Sequence, residues 1–241
     1  MMAKRIVATL GAISLSLVAF ASDNPPAEGF DAAGSDAKAI ELADRVMQAM
    51  GGRPAWDATR YIGWKFFAPQ PAGRTHLWDK WTGNLRYQHG DQITLMNIHT
   101  KDGSAWKAGQ KVEDPAELRK LLQQGYEAWV NDCYWLLMPY KLKDTGVTLK
   151  YKGEGATEDG KPADMLQLTF EDVGVTPENK YDVWVDKESG LVTQWAYYPT
   201  AADEAPRFKT PWASWTRHGG ILLSGDRGQM QLTEIAVYDQ V

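Results

Sequence analysis

From Arg60 to the C-terminus the chain is a series of short runs in which apolar and polar residues alternate, most of them ended by turn residues. Period-two alternation sends successive side chains to opposite faces of a strand, and short turns between such runs join neighbours antiparallel. This pattern constrains the fold more than any other feature. The expected architecture is mainly β with helical insertions: a curved antiparallel meander sheet, or unclosed barrel, of about ten strands. YIGWKFF (61–67), RTHLWDKW and NLRYQHG open it, and ILLSGDRG and MQLTEIAVYDQ close it. VTLKYKGE (147–154) is the cleanest run, with Val147, Leu149 and Tyr151 on one face. In the first hairpin a two-residue Gly83-Asn84 loop pairs Trp81 with Arg86 and Trp78 with His89, and sets His76 opposite Asp91. A loop one residue longer would oppose Lys80 and Arg86, two like charges.

Two segments break the alternation. Before the first strand, Ile40, Ala43, Met47 and Met50 repeat at helical spacing, with Ser35 or Asp36 as cap and Gly51-Gly52 as stop. Pro54 then favours a short turn around Trp56. In mid-chain, Asp114-Pro115-Ala116-Glu117 supplies an N-cap acceptor, proline at the first helical position and glutamate at the third. Leu118, Leu121, Leu122, Tyr126 and Trp129 follow at helical spacing. Asn131 and Asp132 are expected to end this helix and cap a short second one, CYWLLM, which Pro139 stops. A strand remains the alternative for that run, because short apolar runs fit both periods. The two helical regions are expected to cover the sheet, the mid-chain one as a lid.

The N-terminus reads as an export signal over residues 1–21. MMAKR is basic, IVATLGAISLSLVAF is apolar but too short and too interrupted to span a bilayer, and Ala19-Phe20-Ala21 provides a small-x-small cleavage site. An uncleaved anchor is the alternative. No cysteine follows the apolar run, so an exported, periplasmic protein without an acyl anchor is expected, beginning at Ser22. Residues 22–36, rich in Pro, Gly, Ala and Asp, read as a flexible linker, and residues 37–241 as a single domain. Without Lys4 and Arg5, 24 basic residues face 31 acidic ones, a net charge of −7. No basic cluster offsets that balance, which argues against nucleic acid as a partner. The single cysteine, Cys133, has no partner for an internal disulfide.

The order of elements resembles the periplasmic lipoprotein-carrier fold, LolA/LolB-like. The features that carry the resemblance are the export signal, the helix before the first strand, the early hairpins, KDGSAW (101–106) and the mid-chain insertion. YWLLMPYKLKDTGVTLKYKGE and YDVWVDKESGLVTQW are similar to a family of exported bacterial proteins of unknown function associated with that fold. The resemblance runs over residues 37 to 240 and implies an unclosed barrel whose helices cover an apolar cavity. It transfers no site residue.

Chemistry-bearing motifs are sparse. His76, His89, His99 and His218 show neither HExxH nor helical i, i+4 spacing, so no metal site is expected. Cys133 lies beside Asp132 and Tyr134, which do nothing to stabilise a thiolate, and is expected to be buried and inert. Phosphate-binding and dinucleotide glycine motifs are absent, so no cofactor and no catalytic residue is assigned. Eleven tryptophans against six phenylalanines are the most unusual part of the composition. Tryptophan suits both cores and amphipathic cavities. Trp64, Trp184 and Trp195, on strands, are expected in the core. Trp129 and Trp135 sit on the insertion.

These features lead to an exported protein that binds an apolar or amphiphilic ligand, such as a lipid or lipidated cargo, with a membrane-associated partner. Leu118, Leu122, Trp129, Trp135, Leu136 and Met138 would form the lid. Val183, Val185 and Trp195 would form the floor. The alternative is a structural or assembly module whose barrel is filled by its own side chains, and the third reading is a histidine-dependent hydrolase.

Overall fold

The computed structural model describes residues 23–66 and 73–240. The expected export signal and Ser22 lie outside them. The fold is mainly antiparallel β with three α-helices; its strands form an eight-stranded, a five-stranded and a two-stranded sheet, which do not close into a barrel among the described residues. Helix α1 (Ala37–Ala49) and the short α2 (Gly52–Ala58) lead into β1 (Tyr61–Phe66), β2 (Arg74–Asp79), β3 (Asn84–His89), β4 (Gln92–Asn97), β5 (Gly103–Lys107) and β6 (Gln110–Lys111). Helix α3 (Pro115–Leu137) and a 3₁₀ turn (Met138–Lys141) follow. The second half contributes β7 (Val147–Ala156), β8 (Pro162–Phe170), β9 (Lys180–Asp186), β10 (Val192–Tyr198) and β11 (Phe208–Pro211). It ends with β12 (Thr216–His218), β13 (Ile221–Leu223), β14 (Asp226–Arg227) and β15 (Met230–Tyr238). Ten of these strands have five residues or more, and the short remainder fall where alternation is weak.

The first sheet has the order β14-β15-β1-β2-β3-β4-β5-β6, so the last long strand returns beside the first. The second, β11-β10-β9-β8-β7, is a plain meander. Helix α3 lies against both. Its Trp129 meets Trp78 edge to face over the first sheet, with ring centroids 5.4 Å apart. Its Trp135 meets Trp195 of the second at 5.0 Å. Gly125 lets the helix sit close to the first sheet. A Cβ there would already lie 3.4–3.5 Å from Thr94, Met96 and Tyr87.

Several expectations are corrected. The first hairpin pairs Trp78 with Leu85, His76 with Tyr87 and Arg74 with His89, so its turn is longer than either register considered. Asp79 organises that turn: its carboxylate accepts from the Trp81 amide and from Arg60, and its carbonyl accepts from the Gly83 amide at 2.8 Å. Pro54 lies in the first turn of the short helix α2, which begins at Gly52, rather than in an open turn. The mid-chain insertion is one continuous helix of 23 residues, and neither a break at Asn131-Asp132 nor a strand forms. Asp114 caps it as expected, accepting from the amides of Ala116 and Glu117. Trp184 lies on the far side of the second sheet, where it packs with Ala163, Ala196 and Tyr198 away from the main core. The inward row of β9 is Tyr181, Val183 and Val185.

The stretch expected as a flexible linker follows a defined path along β7. Asp31 N donates to Val147 O, Asp36 N to Leu149 O, and the Asp36 carboxylate accepts from Tyr151 N. The Asp36 carboxylate therefore serves the sheet, while its carbonyl accepts from the Ala39 and Ile40 amides at the start of α1. Farther back, Lys143 donates to Asn24 O and to the Asp44 carboxylate. These contacts occupy part of an edge strand that would otherwise present unpaired backbone.

Candidate functional site

The nine residues expected at the ligand site divide in space. Leu136, Met138, Val183, Val185 and Trp195 are fully buried, and Leu122 is buried against the first sheet side of the core. Leu118 and Trp129 are half-buried and pack on that same core. Trp135 and Trp195 border a cleft of about 260 Å³ between the C-terminal half of α3 and the second sheet. The other seven do not line it.

Aromatic rings wall this cleft. Tyr181 stacks on Trp195 with centroids 5.1 Å apart and planes 5° from parallel. Trp135 stands edge-on to Trp195 and 5.5 Å from Phe208, which stacks on Tyr197 at 5.0 Å. Tyr134 meets Phe170 edge to face and lies 5.2 Å from Tyr181. The mouth is formed by Val130 of α3 and by Val173, Val175 and Thr176 in the loop between β8 and β9. None of the thirteen lining side chains is charged. The volume of the cleft is about 260 Å³. It is just under the usual range for small-molecule pockets, about 300–1,000 Å³.

The polar groups at the cleft are unequal. Asn179 accepts from the Tyr197 hydroxyl at 3.3 Å and donates to Thr176 Oγ1 at 2.7 Å. Asn131 donates to Asp132 Oδ1 at 2.9 Å. The Tyr134 hydroxyl is buried and has no hydrogen-bond partner among the described residues. Burial pushes its phenol well above the ordinary value, so the group stays a protonated donor.

Directly behind Asn131 sits a buried ionic cluster. Arg74 grips the Asp132 carboxylate with both Nε, at 2.7 Å, and Nη2, at 2.5 Å. His76 donates Nε2–H to Asp132 Oδ2 at 2.7 Å, with its ring stacked on Trp64 at 4.6 Å. Burial lowers the His76 pKa, and this outweighs the opposing pull of Asp132. Its Nδ1 meets no partner among the described residues. A histidine oriented by a carboxylate is half of a proton-relay arrangement, but the faces of this ring are covered by Trp64 and Tyr87 and no nucleophile among the described residues touches it. The cluster instead ties α3 to β2. On the other side of the helix, Arg227 donates to the Trp135 carbonyl at 2.7 Å, with its guanidinium 3.3 Å from the Trp212 ring centroid. The cleft wall is thus pinned from two sides.

Asp132 was expected at a helix end and His76 opposite Asp91, so the cluster is a finding of the structure. A signal was present in the sequence. In one continuous helix, Leu122, Gly125, Trp129, Asp132 and Leu136 share a face, which puts an acidic residue in a buried stripe. Arg74 and His76, two residues apart, likewise share a strand face.

Among the described residues no group of three or more His, Cys, Asp or Glu is placed to hold a metal ion. No described helix is long and apolar enough to cross a membrane. No protein-family model matches the chain, and no curated protein matches it. Solved structures that are similar in part include the following three. A DUF1329 family protein from Desulfovibrio piger ATCC 29098 matches at 12% identity over 85% of this chain and 93% of that one, with a TM-score of 0.44. MucB in complex with MucA(peri) matches at 12% over 84% of this chain and 57% of that one, with a TM-score of 0.25. An uncharacterized conserved protein from Thermus thermophilus matches at 11% over 85% and 90%, with a TM-score of 0.26. What the cleft can hold is decided by its own lining.

Proposed function

We propose that this protein is an exported binding module that holds a small apolar or amphiphilic molecule in the aromatic cleft beneath α3. The observation that carries the reading is the cleft itself: about 260 Å³, walled by seven aromatic rings and free of charged side chains. Such a lining favours binding by burial of apolar surface, at about 25 cal/mol per Å² before ordering costs are met. The volume suits a single short chain or ring system rather than a lipid with two full acyl chains. Trp135 forms part of the helical wall and Trp195 part of the floor. The rest of the expected lid and floor would act from behind, by holding the wall in place.

Fluorescence titration with N-phenyl-1-naphthylamine, a neutral apolar dye, tests this on wild type and Val130→Phe. The larger side chain projects from the helix at the mouth and should abolish binding while the fold persists. Absence of dye binding by wild type, or unchanged binding by the variant, would refute the cleft as the site.

A second reading, a structural or assembly module, draws support from the other side of the first sheet. A broad, shallow groove of about 620 Å³ there is lined by Leu77, Arg86 and Leu95, and Leu95 is 41% exposed. Retained partner capture by Val130→Phe but not by Leu95→Asp would favour it.

A further inference from the structure

We infer that the ligand of the cleft is a cationic amphiphile, a quaternary ammonium group on a short apolar body, and that the aromatic walls recognise its charge. This rests on the reading of the cleft as a ligand site. The face of an aromatic ring is electrostatically negative and attracts a cation placed over it. The protein uses that attraction repeatedly. Among the described residues, Lys and Arg side chains lie over eight aromatic rings, from Arg60 over Tyr61 to Arg227 over Trp212. None of the eight belongs to the seven rings that wall the cleft. Three of those seven, Phe170, Tyr197 and Phe208, are only half-buried, so an occupant of the cleft can reach them. The cation that these rings lack is one that a ligand can bring.

The surroundings carry the matching charge. The loop at the mouth, residues 171–179, contains Glu171, Asp172 and Glu178 and no basic residue. Glu127 lies one turn before Val130 and Asn131 on the same face of α3. All four acids are exposed, and none forms an ion pair among the described residues. Such a rim draws a cation toward the cleft and repels a carboxylate. An anion inside would also find no cation in the lining. Arg74 is committed to Asp132, while Lys180 and Lys209 lie over Tyr198 and Trp184 on the far side of the second sheet. Strand alternation sets Arg207 on the face opposite Phe208. Hydrogen bonding narrows the kind of cation. A primary ammonium brings three N–H donors, whereas Asn179 Oδ1 and Thr176 Oγ1 already accept within the protein. A quaternary ammonium has no N–H to satisfy, so it loses least on leaving water.

The test is displacement of N-phenyl-1-naphthylamine by octyltrimethylammonium, 1-octanol and octanoate at neutral pH, on wild type, Phe208→Leu and Phe208→Tyr. On wild type the cation should bind more tightly than octanoate. Phe208→Leu keeps apolar bulk but removes a ring face, so its affinity for the cation should fall about fivefold relative to that for 1-octanol. Phe208→Tyr, which keeps a ring, should retain the cation. Neutralising the rim with Glu171→Gln, Asp172→Asn and Glu178→Gln together should weaken the cation alone, and added salt should shrink the difference from wild type. Melting curves accompany each variant, and Phe170→Leu replaces Phe208→Leu should the latter not fold. Octanoate binding as tightly as the cation, equal losses of cation and 1-octanol in the leucine variant, or unchanged cation affinity in the rim variant would each overturn the inference. Displacement of the dye by 1-octanol but not by octyltrimethylammonium would overturn it too, while leaving the cleft as an apolar site. Failure of the dye to bind wild type would instead remove the cleft as a ligand site, and the inference with it.

Discussion

Helix α3 meets two aromatic surfaces, and only one of them is hollow. Over the first sheet, Trp64, Trp78 and Trp129 fill the space, with Gly125 drawing the helix close. That side also takes in an ionic cluster, Arg74–Asp132–His76. Over the second sheet, Tyr134, Trp135, Trp195 and Phe208 meet ring to ring and leave the cleft. Aromatic content is alike on the two sides, so residue type does not decide between core and cavity. The distance of approach does. A mid-helix glycine admits contact with the strands, whereas flat rings packed edge to face hold the helix off and cannot fill every corner.

The sharpest way to break the comparison is to truncate one tryptophan on each side. Trp64→Ala, at a site 1% exposed, should cost about 3–5 kcal/mol, as is usual for a fully packed tryptophan. Trp135→Ala, which faces space on one side, should cost less than about 3 kcal/mol and should alter dye binding. Urea melts and dye titrations on both variants measure this. Equal stability losses would mean that the two sides are packed alike.

Next comes the ionic cluster. Asp132→Ala strands Arg74 and His76 and should cost about 3 kcal/mol, the low end for breaking a buried pair because Arg74 keeps some contact with water. Arg74 is 23% exposed. The same variant should also loosen the cleft wall, because Asn131 loses its acceptor. Hydrogen exchange at residues 130–135 should rise relative to residues 118–125. Uniform exchange along α3 would show that the cluster does not hold that segment.

A smaller effect is expected from pH. Burial holds the His76 pKa below its ordinary value, so below about pH 6.5 the unfolded chain binds a proton that the folded chain refuses. Stability is then fully present above that pH and falls as pH drops, by up to about 1.4 kcal/mol per pH unit, until the folded imidazole itself titrates. His76→Gln should remove this slope just below about pH 6.5. Persistence of the slope in the variant would assign it elsewhere, His218 being the next histidine to test.

The smallest effect concerns Cys133, a buried free thiol whose pKa burial pushes up to about 11. Labelling at about pH 8, near the ordinary thiol pKa, should be slow in the native state and fast in guanidinium. Rapid native labelling would mean that α3 separates from the core readily, and would blur the contrast between its two sides.

Local patterns were enough to read much of this fold. Alternating runs with turn residues define the long strands, and Asp114-Pro115-Ala116-Glu117 defines where α3 begins, because capping and period-two patterning involve only neighbours in sequence. The expected burial of Cys133 rested on its place beside an apolar run, with no neighbour to stabilise a thiolate. Long-range pairing decided the rest. The first hairpin register rests on where the Asp79 carboxylate and carbonyl find their donors, and the continuity of α3 past Asn131-Asp132 rests on Arg74 and His76 reaching Asp132 from a strand 58 and 56 residues away. Trp184 and Trp195, both strand tryptophans, ended on opposite faces of one sheet. The cleft depended most of all on tertiary structure. It is a gap left where rings from α3, β8, β9, β10 and β11 fail to fill space, and an unfilled volume has no residue of its own to announce it.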